Sequence, residues 1–472
     1  MVFSSLTFLY LFFPLLLLSY YAFKSPLYRN WILIIASFIF YAWGEPVWVI
    51  LLLSCAIVGY YFGILINKNK DHVKRKKWIL AIGITINLSV LVFFKYIDFL
   101  IQNFNLLLHA DLPYSGIGLP IGISFFTFQV ISYLVDVYRG DVPSSTSKVN
   151  VLLYISLFPQ LIAGPIVRYT DIQHQMENRS FSLSNFSQGI NRFVIGLGKK
   201  VIFANTAGET AALFLDGNVT EVSVLGAWFG ISLFAIQIYF DFSGYSDMAI
   251  GLGKMFGFTY PENFNYPYVS RSATEFWRRW NMSLGAFFRD YVYIPLGGNR
   301  KLPVRNLFIV WFLTGLWHGA SWNFIIWGLY FGILIFIEKK FLLSLFSRLP
   351  VWFSHLYLTA AMLIGWVFFY YTDMKQGLLF IKSLFGLNSN VFVDVILSVQ
   401  FNNNLIFFIA AIIACTPIPK WIFNKLIRVL PKKMQTKFSN DIAVPIFNFF
   451  ILIISTTLLV GSTYNPFLYF RF

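Results

Sequence analysis

Charge is scarce in this chain: Asp, Glu, Lys and Arg together make up 12% of the 472 residues, against 58% that are hydrophobic. So little polar surface cannot clothe a soluble globule of this length. With a mean hydropathy of +0.67, the composition predicts an all-α polytopic membrane protein. Cysteine is almost missing. Cys55 and Cys415 stand far apart in apolar stretches, which argues against a disulfide framework and against a thiolate metal cluster. No HExxH, GxSxG or CxxC sequence occurs, and GLGKMFG at 251–257 has neither the spacing nor the preceding strand of a phosphate-binding loop. No metal site is expected.

What charge there is has one dominant sign, 36 basic residues against 20 acidic ones and a net charge of +16. These cations fall mainly in short loops between apolar runs, where the positive-inside rule places them, so nucleic acid is not an expected partner. The first apolar run, Phe8 to Phe23, is followed by Lys24 and Arg29. The next two, Trp31 to Trp43 and Val47 to Ile66, are parted by Gly44, Glu45 and Pro46 and lead into NKNKDHVKRKK at 67–77, with six basic residues and one acid. Both loops read as cytoplasmic, which puts the amino terminus outside. No hydrophilic segment is long enough to fold separately, so residues 1–472 are expected to form one membrane-embedded domain.

The middle of the chain differs in kind. Spans near 117–135, 151–166, 190–206 and 224–256 are broken by Gly, Pro and polar residues, as in LPIGISFFTFQ and FPQLIAGPIVR. Such breaks are tolerated at membrane depth where protein or a water-filled cavity satisfies the freed backbone groups. Ordinary spans return near 351–371, 404–418 and 442–462, and the basic, aromatic segment 420–437 suits a helix lying on headgroups.

Histidine is rare too, five in all, and one of them, His318, lies inside the apolar stretch TGLWHGASWNFIIWGLYFG at 314–332. An imidazole in hydrocarbon needs partners and is a functional candidate, although a hydrogen bond to a neighbouring helix would also account for it. If 307–335 is one helix, Thr314, Gly315, Ser321 and Trp322 share its face with His318. Upstream, TEFWRRWNMSLGAFFRDYVYIPLGGNRK at 274–301 reads as a partly embedded helix with Glu275 and Arg279 as an i, i+4 pair. Arg278, Arg279 and Arg289 could grip a cytoplasmic phosphate or only anchor the segment at the headgroups. In QIYFDFSGYSDMA at 237–249, Asp241 with Tyr245, or Ser243 with Asp247, could pair locally.

The ordered runs QIYFDFSGYSDMAIGLGKMFGF, PENFNYPYVSRSATEFWRRWNMSLGAFFRDYVYIPLGGNR and TGLWHGASWNFIIWGLY resemble the bacterial membrane-bound O-acyltransferases, of the type that acetylates alginate or peptidoglycan. LPIGISFFTFQVISYLVDVYRG and LFPQLIAGPIVRY resemble the same group, so the likeness extends from about residue 118 to 332. It implies a ring of transmembrane and re-entrant helices around a central funnel. By motif position His318 is the invariant catalytic histidine and Asn281 the second polar residue. Many bacterial relatives carry histidine at the Asn281 and Phe331 positions; this sequence departs at both, which leaves His318 as the base. The expected donor and substrate contacts are Gln237, Asp241, Trp277, Arg278, Arg279, Arg289, Thr314, Trp317, Ser321 and Trp322. The resemblance further implies acetyl-CoA as donor, no tightly bound cofactor, an extracytoplasmic polysaccharide acceptor, a periplasmic esterase-like partner, and residence among the lipids of a bacterial cytoplasmic (inner) membrane. Transfer of D-alanine from a carrier protein is the alternative within that class. A lipid or polysaccharide transporter using His318 as a proton relay is the rival outside it, disfavoured because no internal repeat is visible.

Overall fold

The computed structural model describes residues 1–472 except 145–146, 180, 430, 432–437, 463 and 469–472. Among the described residues the chain is built from helices with no strand. Six helices among the described residues are long and apolar enough to cross a membrane: Val49–Lys68, Val73–Leu108, Val224–Met255, Val351–Tyr370, Val395–Ala414 and Asp441–Gly461. The protein is therefore a multi-pass membrane protein, and it divides into two compact units, residues 1–193 with 245–261 and residues 194–244 with 262–472.

In the first unit, shorter apolar helices Phe8–Tyr21 and Pro26–Ala42 precede the two long ones. The Gly44 to Pro46 break falls where the sequence places it. The helix Ile123–Arg139 is deeply enclosed, with every residue from Ile123 to Leu134 buried. Gly63 makes that packing possible, since a Cβ there would come within 2.7 Å of the Tyr133 ring. Van der Waals fit of this kind, not hydrophobic transfer, holds helices together in lipid. The FPQLIAGPIVR stretch is irregular after a short helix, Phe158–Leu161, yet buried. Its backbone is answered by protein: Tyr154 Oη donates to the Val167 carbonyl at 3.0 Å.

In the second unit, the helix Pro303–His318 turns back on the helix Trp322–Ile337. Farther along, the helix Ile418–Arg428 has no buried residue and carries Lys425 at 5.0 Å from the Trp421 ring. The rest of the expected surface helix, beyond Pro431, lies outside the described residues.

Candidate active site

The single helix expected over 307–335 is instead a hairpin. Gly319 and Ser321 are extended, so the helix ends at His318 and restarts at Trp322. Glycine directly after one apolar helix and serine directly before the next are ordinary stop and start residues, and here they outweigh the continuous hydropathy. The returning helix packs at close range because Gly315 and Gly328 lack side chains: a Cβ on either would overlap a carbonyl oxygen of the other helix, Phe324 or Trp311. The correction matters for the site. Ser321 and Trp322 no longer share a face with His318, and Trp322 is 54% exposed.

Ending the helix at His318 delivers its ring into an aromatic enclosure. The imidazole is 5% exposed. Its centroid lies 4.8 Å from the Trp317 ring, 4.9 Å from Trp327 and 5.2 Å from Phe369, each in an edge-on arrangement. Phe324 lies across a wider gap, 6.4 Å and near parallel. Edge-to-face pairs contribute about 0.5–1.5 kcal/mol each beyond burial and fix ring orientation.

The stretch before the hairpin supplies a second layer. Instead of one embedded helix it forms Ala273–Arg279 and Met282–Phe288, joined at Trp280 and Asn281. Asn281 has φ 45° and ψ 54°, a left-handed conformation that asparagine tolerates better than most residues. The corner is pinned by Asn263, whose carbonyl accepts from the Met282 amide at 2.9 Å and whose side-chain oxygen accepts from the Ser283 amide and hydroxyl at 3.1 and 2.9 Å. At the other end of the first helix, the buried Glu338 carboxylate accepts from the amides of Ala273 and Thr274 at 2.6 and 2.8 Å and from the Thr274 hydroxyl at 2.6 Å. A carboxylate at a helix amino end satisfies orphan donors and opposes the helix dipole.

Between these pins, Trp277 packs edge-on against Trp327 at 5.3 Å, and Trp280 meets Trp366 at 5.1 Å. Trp366 in turn packs on Phe369 at 5.6 Å. Aromatic rings thus bridge the Asn281 corner to the His318 enclosure. The indole N–H groups of Trp277 and Trp327 are buried and have no hydrogen-bond partner among the described residues. A buried donor left unmatched costs about 1–3 kcal/mol, which marks both as groups an acceptor-bearing ligand would satisfy.

The remaining expected residues are placed as follows. Trp317 is buried against His318, and the Thr314 hydroxyl donates to the Val310 carbonyl within its own helix at 2.7 Å. Arg279 pairs with Glu275 at 2.8 Å, as the spacing predicts, and Arg289 pairs with its neighbour Asp290 at 2.6 Å. Arg278 is exposed. Gln237 and Asp241 belong to another cluster. Asp241 pairs with Lys200 at 2.7 Å, both fully enclosed, and accepts from the Leu468 amide at 2.9 Å. Lys200 also donates to the Pro466 carbonyl, and Gln237 donates to the Tyr464 hydroxyl at 3.4 Å. The local pairings expected for the two acids are replaced by Lys200 for Asp241 and by Arg192 for Asp247, at 2.6 Å. An intramembrane carboxylate takes a cation where one is in reach, because a hydroxyl leaves its charge uncompensated. Trp327, Trp366, Phe369 and Glu338 escape the sequence reading; Asn323, Trp327 and Phe331 recur at four-residue spacing, which marks that face once the helix is known to restart at 322.

A family model described as MBOAT, membrane-bound O-acyltransferase family, matches residues 139–372. The chain is 40% identical over 394 residues to the protein of Pseudomonas aeruginosa described as "Probable alginate O-acetylase AlgI", covering 82% of this chain and 75% of that one. It is 34% identical to the peptidoglycan O-acetyltransferase of Helicobacter pylori, covering 82% and 80%. A more distant likeness, 30% identity, links 46% of the chain to 60% of the teichoic acid D-alanyltransferase of Bacillus subtilis. The matched residues include the Asn281 corner, the His318 hairpin and the aromatic layer between them, and the chain belongs to the membrane-bound O-acyltransferase family.

Proposed function

We propose that this protein is an O-acetyltransferase that takes an acetyl group from cytoplasmic acetyl-CoA and passes it across the inner membrane to an extracytoplasmic polysaccharide, with a periplasmic esterase-like partner completing the transfer. The amino terminus then lies outside, following the basic loops at 24–29 and 67–77. One observation carries the reading: the His318 imidazole, at the end of a helix, faces Trp327, whose buried N–H is unmatched, as is that of the adjoining Trp277. The relatives acting on alginate and peptidoglycan supply the acceptor class.

In this mechanism an imidazole nitrogen of His318 takes the proton of the acceptor hydroxyl as its oxygen attacks the thioester carbonyl carbon. The Trp277 and Trp327 N–H groups, with the Asn281 amide, donate to the oxygen that gains charge. The carbon–sulfur bond then breaks, and the departing thiolate recovers the proton from the imidazolium. General base catalysis of this kind contributes about 100- to 10,000-fold in rate, and preorganised donors in a water-poor site add more.

The test uses the full chain in liposomes supplied with acetyl-CoA and a glycan acceptor. Free CoA should appear only with acceptor present, and His318→Ala should abolish it while the variant still elutes as a monodisperse, helical protein. Undiminished release in His318→Ala refutes the assignment. The likeness to the D-alanyltransferase supports the alternative of a carrier-borne donor. Excess aminoacylated carrier protein that suppresses labelling by acetyl-CoA would favour it; unchanged labelling counts against it.

A further inference from the structure

In the first unit, an open cleft lies where the first apolar helix ends, lined among others by Tyr20, Tyr21, Arg29, Arg179 and Lys254. No Asp or Glu lines it. Arg29 is only 8% exposed; its Nε donates to the Phe23 carbonyl at 3.1 Å, and its guanidinium lies 5.1 and 5.5 Å from the Tyr20 and Tyr21 rings. Arg179 donates through Nη2 to Asn30 Oδ1 and rests 4.7 Å from the Phe258 ring. Its Nε and Nη1 are buried with no hydrogen-bond partner among the described residues. Burial, and then the charge of Arg29, hold the Arg179 pKa below the usual guanidinium value. Lys254 reaches Gln188 Oε1 at 3.2 Å, a neutral partner.

A fourth source of positive potential converges there. Ser182 and Asn185 line the cleft at the amino end of the helix Leu183–Gly198, with the Ser182 oxygen accepting from the Asn185 amide at 3.4 Å. Helix amino ends attract anions. The walls are pre-set, because the Tyr20 hydroxyl donates to the Phe256 carbonyl at 2.6 Å and the Tyr21 hydroxyl to that of Met255.

Enclosed cations without a counter-charge, one of them with two unmatched N–H groups, are costly unless an anion answers them. A carboxylate offers two oxygens; a phosphate group offers more and suits two guanidiniums and an ammonium arranged around it. We propose that this cleft binds the phosphate group of an anionic ligand, gripped by Arg29, Arg179 and Lys254. Its place at the end of an apolar helix suits a phospholipid headgroup, and a soluble phosphate presents the same chemistry.

Native mass spectrometry of the full-length detergent-solubilised protein tests this, with dioleoylphosphatidylglycerol, dioleoylphosphatidylcholine, pyrophosphate or acetate as probe. The wild type should retain one equivalent of phosphatidylglycerol or pyrophosphate in preference to phosphatidylcholine and acetate, and Arg179→Gln should weaken retention roughly tenfold or more. Phosphatidylglycerol that pyrophosphate does not displace identifies a lipid headgroup; pyrophosphate retained without the lipid identifies a soluble ligand. Should Arg179→Gln fail to fold, Lys254→Gln at the cleft carries the comparison. Retention of neither probe above phosphatidylcholine and acetate, or equal retention in the variants, overturns the proposal.

Discussion

Glu338 is the residue whose loss should disturb the site most from a position outside the aromatic enclosure. Its fully buried carboxylate gathers the Ala273 amide, the Thr274 amide and the Thr274 hydroxyl at 2.6–2.8 Å. Alanine at this position leaves those donors without an acceptor, each worth about 1–3 kcal/mol. They are neighbours and share relaxation, so the total is roughly 3–6 kcal/mol and not their full sum. Glu338→Gln keeps one carbonyl acceptor and removes the charge, for roughly half that cost. The helix released is Ala273–Arg279, which carries Trp277 and leads to Asn281. Hydrogen exchange on the full-length protein in detergent should therefore accelerate across 273–288 by roughly 100-fold in Glu338→Ala, the equivalent of about 3 kcal/mol of local opening. Glu338→Gln should fall between this and wild type, and acetyl-CoA turnover should decline in the same order. Unchanged exchange over 273–279 in Glu338→Ala would sink the reasoning.

Trp327→Phe keeps a ring beside His318 but removes the unmatched N–H together with part of a fully buried indole; turnover should drop about 100-fold with a modest fall in the unfolding temperature, and equal turnover would remove Trp327 from the mechanism. Gly328→Ala drives a methyl into the Trp311 carbonyl and should destabilise the hairpin by about 1–3 kcal/mol, read as a lower unfolding temperature. Lys200→Met strands the enclosed Asp241 charge, so thermal stability should fall by the equivalent of about 3–5 kcal/mol, whereas Lys200→Met with Asp241→Leu should recover most of it.

Hydropathy and loop charge were enough to define a multi-pass helical membrane protein, because crossing lipid demands long apolar helices and little else. The run Val47 to Ile66 and the basic loop after it are examples. Short-range spacing likewise sufficed for the Glu275–Arg279 pair, and the motif runs for the family. At 307–335 two local signals compete, continuous hydropathy for one helix and the Gly319 and Ser321 stop and start residues for a turn; the close crossing at Gly315 and Gly328 favours the turn. The partners of Asp241 lie 41 positions before it, at Lys200, and 227 after it, at Leu468. Likewise Glu338 reaches back 65 residues to Ala273. Periodicity describes one element at a time, whereas burial of a charge is answered by whichever element folds against it, and that choice belongs to the tertiary structure.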